Sequence, residues 1–181
     1  VFTSIVDLVP TFRSLTVQYN PWLADGEMLG NRLLELARTA HSVTQQGRCW
    51  LLPVCFDEDF ALDLAELAKT KEMTQEAVIK ELTHAEFQVF MIGFMPGFPY
   101  MGGLPKNLAM PRLASPRKSL PARSLAIAGE MCAVYPWDSP GGWRLLGRTP
   151  VPMFSTETES PSLFASGDKV RLKAIDRASY E

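Results

Sequence analysis

The stretch GFMPGFPYMGGLP, from Gly93 to Pro105, constrains the fold of this 181-residue chain more than any other. Its four glycines and three prolines exclude a helix interior or a central strand, since proline lacks the backbone donor and glycine weakens ordered segments. Yet Phe94, Phe98, Tyr100 and Leu104 are too apolar for an ordinary solvated loop. Two readings are open: a loop that lids a core, or one wall of a pocket where glycine lets a ligand approach the backbone.

The text before this stretch alternates strand and helix patterns. Phe12 to Asn20 sets Leu15, Val17 and Tyr19 against polar neighbours, as a half-buried strand does. From Asp25 to Ala40, Leu29, Leu33, Leu36, Ala37 and Ala40 recur at helical spacing, with Asp25 as the expected N-cap. Arg48 to Phe56 reads as a second strand, whose Pro53 argues for an edge or a bulge. A short helix around Leu62 to Lys69 follows, then one capped by Thr74 that runs towards His84. After Phe87 the texture becomes β-rich. FQVFMIGF suggests a strand buried on both faces. Short strands are expected at Ser124–Gly129, Met131–Pro136, Trp143–Arg148, Val151–Phe154 and Asp168–Ile175, separated by glycine and proline turns. The expected fold class is α+β, with an α+β domain over 1–86 and a small barrel or sandwich over 87–181.

Charge supports a boundary near residue 86. Residues 1–86 carry 7 basic and 13 acidic side chains, whereas residues 87–181 carry 11 and 7. No acid lies between Glu86 and Glu130, while Lys106, Arg112, Arg117, Lys118 and Arg123 all fall there. Such a segment is either a solvated basic face or a site for a phosphate, a carboxylate or an acidic partner. A nucleic-acid partner is not expected at a pI near 5.8. The three cysteines, Cys49, Cys55 and Cys132, show neither disulfide nor zinc spacing, and a reducing cytoplasm is the expected compartment. No apolar run approaches the roughly 18 residues of a membrane span. The chain opens at Val1 in strand-like text, so the natural N-terminus is expected to lie upstream.

Candidate chemistry is sparse. His41 reads as a helix C-terminal residue favoured by the macrodipole. His84 falls opposite the apolar arc of Val78, Ile79, Leu82 and Ala85, which leaves solvent or the seam leading to Gly93. Metal-ligand spacings, a G-x-S-x-G elbow and glycine-rich nucleotide loops are absent from the sequence. Pro111, Pro116 and Pro121 are evenly spaced, and arginine follows the first two; the segment is either an extended surface strip or a stiff rail fixing Arg112 and Arg117.

The run from His84 to Gly129, together with YPWDSPGGWRLLGRTPVPMF and SGDKVRLKAI, resembles the family called allophanate hydrolase subunit 1, or the B-type subunit of 5-oxoprolinase. That family also includes an inhibitor of a sporulation histidine kinase. The resemblance implies an N-terminal α+β domain followed by a cyclophilin-like β-barrel. It further implies a non-autonomous subunit of an ATP-dependent amidohydrolase, most directly one converting 5-oxoproline to glutamate. The implied partner is a second protein of the allophanate hydrolase subunit 2 type, equivalently the C-type subunit of 5-oxoprolinase. ATP would act at the level of the complex, with none bound by this chain alone. The alternatives are an allophanate- or urea-metabolism subunit and a protein inhibitor of a sensor histidine kinase.

Matching the family motifs residue by residue implies catalytic roles for His84 and Arg117 and substrate contacts for Phe94, Pro96, Gly97, Phe98, Tyr100, Arg112, Gly141, Gly142 and Trp143, with Gly93, Pro116 and Pro140 in the same motifs. These pieces are expected to converge on one hollow beside His84 that accepts a small anion. Two positions depart from the pattern: Arg123 stands where the family has glycine, and Ala133 or its neighbour replaces another.

Overall fold

Two short strands and one helix make up the first of two compact units, residues 1–45. The structure is a computed structural model and describes residues 3–11, 13–40 and 47–181; His41 falls outside them. Strands β1 (Ile5–Pro10) and β2 (Leu15–Tyr19) pair antiparallel. Helix α1 (Gly26–Thr39) starts where its cap predicts, with the Asp25 carboxylate accepting from the Met28 amide at 2.9 Å. Of its apolar stripe, Leu29 is buried, whereas Val6, Leu8, Trp22 and Met28 of this unit stand exposed.

The second unit, residues 46–181, begins with β3 (Cys49–Cys55), α2 (Leu64–Thr70) and α3 (Gln75–His84). Thr74 caps α3 by accepting from the Ala77 amide. Then come β4 (Glu86–Ile92), β5 (Pro99–Gly102), β6 (Arg117–Leu120), β7 (Ser124–Ala128), β8 (Met131–Val134), β9 (Ser139–Gly141), β10 (Arg144–Arg148), β11 (Lys169–Ile175) and α4 (Arg177–Tyr180). Seven strands close a barrel in the order β10-β3-β11-β4-β5-β8-β7, while β6 and β9 form a separate antiparallel ribbon. The expected α+β class with a β-barrel is borne out. The compact units part at residue 45 rather than at 86, because β3 runs parallel to β11 along its whole length, from Lys169↔Cys49 to Ile175↔Cys55. Residues 46–86 therefore belong physically with the barrel.

Local expectations fail where tertiary context overrides them. Strand β4 alternates buried Phe87 and Val89 with exposed Gln88 and Phe90, so one face and not both is covered. Val151–Phe154 forms no strand; only an isolated bridge joins Phe154 to Ser162. The glycine- and proline-rich stretch contains a barrel strand after all, β5, whose four residues suffice to link β4 and β8. Pro53 is tolerated inside the barrel because β10 meets β3 only at Cys55, which leaves residue 53 outside that ladder.

The barrel wall has an apolar cluster on each face. On β7, β8 and β10, Leu125, Ile127, Cys132, Val134 and Leu146 join the main core with Phe87, Val89, Val170 and Leu172. Their alternate neighbours Ala126, Ala133, Tyr135 and Leu145 form a second cluster with Phe98 and Leu120. Successive side chains of a strand point to opposite faces, so this second cluster lies across the wall from the first. Alanine at 126 and 133 leaves room for the rings of Phe98 and Tyr135.

Two buried carboxylates tie the loops to this frame. Asp168, 2% exposed, accepts from the Arg48 and Ala165 amides and the Trp50 indole, at 2.8, 3.0 and 2.8 Å. Burial alone would raise its pKa, but these donors and the Arg48 charge outweigh it and hold the carboxyl below its ordinary value. A depressed carboxylate contributes stability above its unfolded pKa of about 3.9 and loses that contribution as pH falls through the folded value. Urea unfolding at pH 7 and pH 3 is expected to show a loss on acidification that is smaller in Asp168→Asn. Equal acid sensitivity of the two proteins would remove Asp168 from this role.

Candidate functional site

The loop Gly93–Gly97 folds back on itself before entering β5. The Gly93 amide donates to the Phe98 carbonyl at 3.0 Å, and the Phe98 amide to the Met95 carbonyl at 3.1 Å. This turn holds Phe94 at a φ of 70°, a left-handed conformation that costs a side-chain-bearing residue on the order of 1–2 kcal/mol. The Phe94 ring is 70% exposed and meets Phe98 edge-on at 5.5 Å. Gly97, with φ of 80°, brings the backbone so near Phe154 that a Cβ would sit 2.7 Å from the Phe154 Cβ.

Phe98 is the hub of an aromatic cage. Its ring makes T-shaped contacts with Tyr100 at 4.9 Å, Tyr135 at 5.1 Å and Trp143 at 5.9 Å. These rings, with Phe94 and Arg112, surround a cleft of about 140 Å³ that Pro140 and Gly141 complete. The Leu113 amide donates to the Gly142 carbonyl at 2.7 Å, which docks the arginine-bearing segment against the β9–β10 turn. A Cβ on Gly142 would lie 3.6 Å from Arg112 Nε, so the glycine backs the arginine side chain.

Electrostatically the cleft is one-sided. The Arg112 guanidinium makes no ion pair or hydrogen bond with a described residue. Its charge is felt by the two phenols: burial raises the Tyr100 pKa while Arg112 opposes it. Burial likewise raises Tyr135, against Arg112 and the nearby Trp143 backbone. Both phenols therefore stay protonated at neutral pH. The cleft is an apolar cage with neutral hydroxyls and a cation unpaired among the described residues, suited to a small molecule with a negatively charged end. Roomier hollows, of about 380 to 410 Å³, lie elsewhere among the described residues. In the one lined by Trp50 and Glu86, Lys169 and Arg171 are already paired with Glu86 at 2.8 and 2.9 Å.

The structure thus brings together Phe94, Phe98, Tyr100, Arg112, Gly141 and Trp143. Pro96 and Gly97 shape the loop behind them, the Pro96 carbonyl accepting from the Trp137 indole at 3.2 Å. Two expected site residues, Arg117 and His84, are not among those lining the cleft. Arg117 does not face the cleft: its guanidinium grips the buried Asp63 carboxylate with two bonds of 2.8 and 2.7 Å. The His84 ring caps its own helix, with Nδ1 2.7 Å from the Lys80 carbonyl, and is not part of the cleft lining. The departures from the family pattern also leave the cleft open. Arg123 takes the φ of 69° that glycine would favour and donates to the Pro150 carbonyl, while Ala133 is buried in the second cluster.

Sequence reasoning missed Tyr135. Its signal was the alternation in MCAVY, which puts Ala133 and Tyr135 on the face opposite Cys132 and Val134. Gly141 makes space for it, since a Cβ there would come within 2.5 Å of the Tyr135 hydroxyl and 2.6 Å of Leu120 Cδ1. Gly141→Ala is expected to cost about 1–3 kcal/mol in urea unfolding by overpacking, and to abolish ligand binding through displacement of Tyr135. Wild-type stability and binding in that variant would contradict the close approach.

The carboxyltransferase domain family, subdomain C and D, matches residues 1–164. The chain belongs to that family. Within the carboxyltransferase C and D family, it is similar to the B-type subunit of 5-oxoprolinase from Bacillus subtilis, with 38% identity over 190 residues, covering 99% of this chain and 79% of that protein. It is also similar to the crystal structure of TTHA0988, with 32% identity and a TM-score of 0.77, covering 96% of this chain. The chain spans only 34% of that longer protein. The urea amidolyase of K. lactis superposes with a TM-score of 0.80 at 18% identity, over 98% of this chain and 13% of that one, which shows a shared fold.

Proposed function

We propose that this chain is the B-type subunit of an ATP-dependent 5-oxoprolinase, with the Phe98 cleft as a ligand site that a partner protein completes. The observation that carries this reading is Arg112, unpaired among the described residues, at an aromatic cage of about 140 Å³. Drug-sized ligands occupy roughly 300–1,000 Å³, so this cleft suits a small metabolite. The similarity to a protein named as a 5-oxoprolinase subunit supports 5-oxoproline as that metabolite.

Arg112 holds the anionic end of the substrate, and Phe98, Tyr100 and Trp143 enclose its ring. A nucleoside triphosphate does not fit this cleft, which among the described residues is lined by a single guanidinium and has too little room. ATP therefore acts elsewhere in the complex. A partner is supported by two features. Phe94 and Trp137, 70% and 46% exposed, present apolar surface beside the cleft. The same fold also forms only part of the longer TTHA0988 chain.

The test is reconstitution. The chain is combined with candidate partner subunits, and glutamate release from 5-oxoproline and ATP is followed. Release that requires this chain is expected. A complex equally active without it, or inert towards 5-oxoproline with all partners present, would sink the reading.

A further inference from the structure

A phenol with no hydrogen-bond partner in the protein has its proton free to give to a ligand. The Tyr135 hydroxyl is in this position. It lies beside the Trp143 backbone and makes no hydrogen bond with a described residue. Tyr135 is 2% exposed overall, yet it lines the cleft. Arg112 beside it is a group that can only donate. The other lining side chains, from Phe94, Phe98, Tyr100, Pro140 and Trp143, include no carboxylate or amide, and the Tyr100 hydroxyl adds one more group able to donate. A neutral amide or urea needs acceptors for its N–H groups, whereas a carboxylate needs donors alone.

We propose that Arg112 and Tyr135 together seat a ligand carboxylate, with Tyr135 the specificity-determining donor that makes the cleft prefer small ring carboxylates to neutral amides and ureas. This rests on reading the cleft as the ligand site. Tyr135 acts by direct contact with the ligand oxygen and keeps its proton throughout. Its burial matters, because a hydrogen bond to a charged group is stronger where water is excluded. Losing the hydroxyl therefore penalises carboxylates selectively.

The experiment titrates the full chain calorimetrically with three probes of one ring size: 5-oxoproline, cyclopentanecarboxylate and 2-pyrrolidinone. The two carboxylates are expected to bind at least about tenfold more tightly than the neutral lactam. Tyr135→Phe should weaken both carboxylates by about five- to tenfold and leave 2-pyrrolidinone unchanged. In the assembled complex the same variant should raise KM for 5-oxoproline more than it lowers kcat. Should Tyr135→Phe fail to fold, Arg112→Gln at the exposed rim must produce the same selective loss. Equal affinity for all three probes, no detectable carboxylate binding, or unaltered carboxylate affinity in the variants would overturn the proposal. An active complex whose KM ignores Tyr135→Phe sinks the carboxylate seat and leaves the 5-oxoprolinase reading standing. Tyr135-dependent carboxylate binding in a complex inert towards 5-oxoproline does the reverse.

Discussion

Arg112→Gln is expected to lower kcat/KM of the assembled complex for 5-oxoproline by about 100-fold or more, with the fold unaltered. The size follows from chemistry. A guanidinium fork offers a carboxylate two charge-assisted hydrogen bonds, each worth on the order of 1.5–3 kcal/mol, and tenfold in rate corresponds to about 1.4 kcal/mol. The absence of a stability effect follows from structure, because the exposed Arg112 guanidinium pairs with no described residue. Arg112→Lys should recover only part of the loss, since an ammonium lacks the planar fork. Steady-state kinetics beside urea unfolding separate the two effects. Unchanged kinetics in Arg112→Gln would remove it from the site, whatever the fate of the fold.

Arg117→Ala is expected to do the opposite: a loss of about 3–5 kcal/mol in unfolding free energy, with kcat/KM of the folded fraction within a factor of about two of wild type. Asp63 is 3% exposed and accepts from both Arg117 nitrogens and, at 2.7 Å, from the Leu145 amide. The Asp63 amide donates in turn to the Leu145 carbonyl at 2.9 Å. Truncating Arg117 leaves a buried carboxylate with one donor, which is the costly half of a broken ion pair. The pair also pins β6 to the barrel, and β6 carries β9 through the Arg117↔Gly141 register. Replacing Asp63 and Arg117 together by leucine should recover much of the stability, because apolar packing often matches a buried pair. A folded, fully stable Arg117→Ala with a large kinetic defect would restore its catalytic assignment.

These two arginines show what could be read from the chain alone. Both follow a proline in one basic segment, and nothing local tells them apart. What separates them is a carboxylate 54 positions away, brought beneath β6 by α2 and β10. The aromatic cage was more legible. Its rings sit on a backbone of glycines and prolines that makes little sense as an ordinary loop, and they do converge. Helix starts were legible too, because Asp25 and Thr74 act within three residues of themselves. Strand β5 was hidden for the opposite reason: its ladder partners lie in β4 and β8, and its own composition argues against a strand. His84 was not legible from the sequence, because a ring at a helix end bonds its own last turn as readily as a substrate.

The parallel match of β3 with β11 has a consequence for biosynthesis. Seven residues near position 50 find their neighbours near position 170, so the sheet cannot become a cylinder until the polypeptide has been made through Ile175. Until then a nascent chain holds two raw strand edges, one on β3 and one on β4. Long-range pairing of this kind slows folding and lengthens the interval in which such edges can capture other chains. Substitutions in Lys169–Ile175 should therefore depress soluble yield more than their effect on the finished protein's stability would suggest.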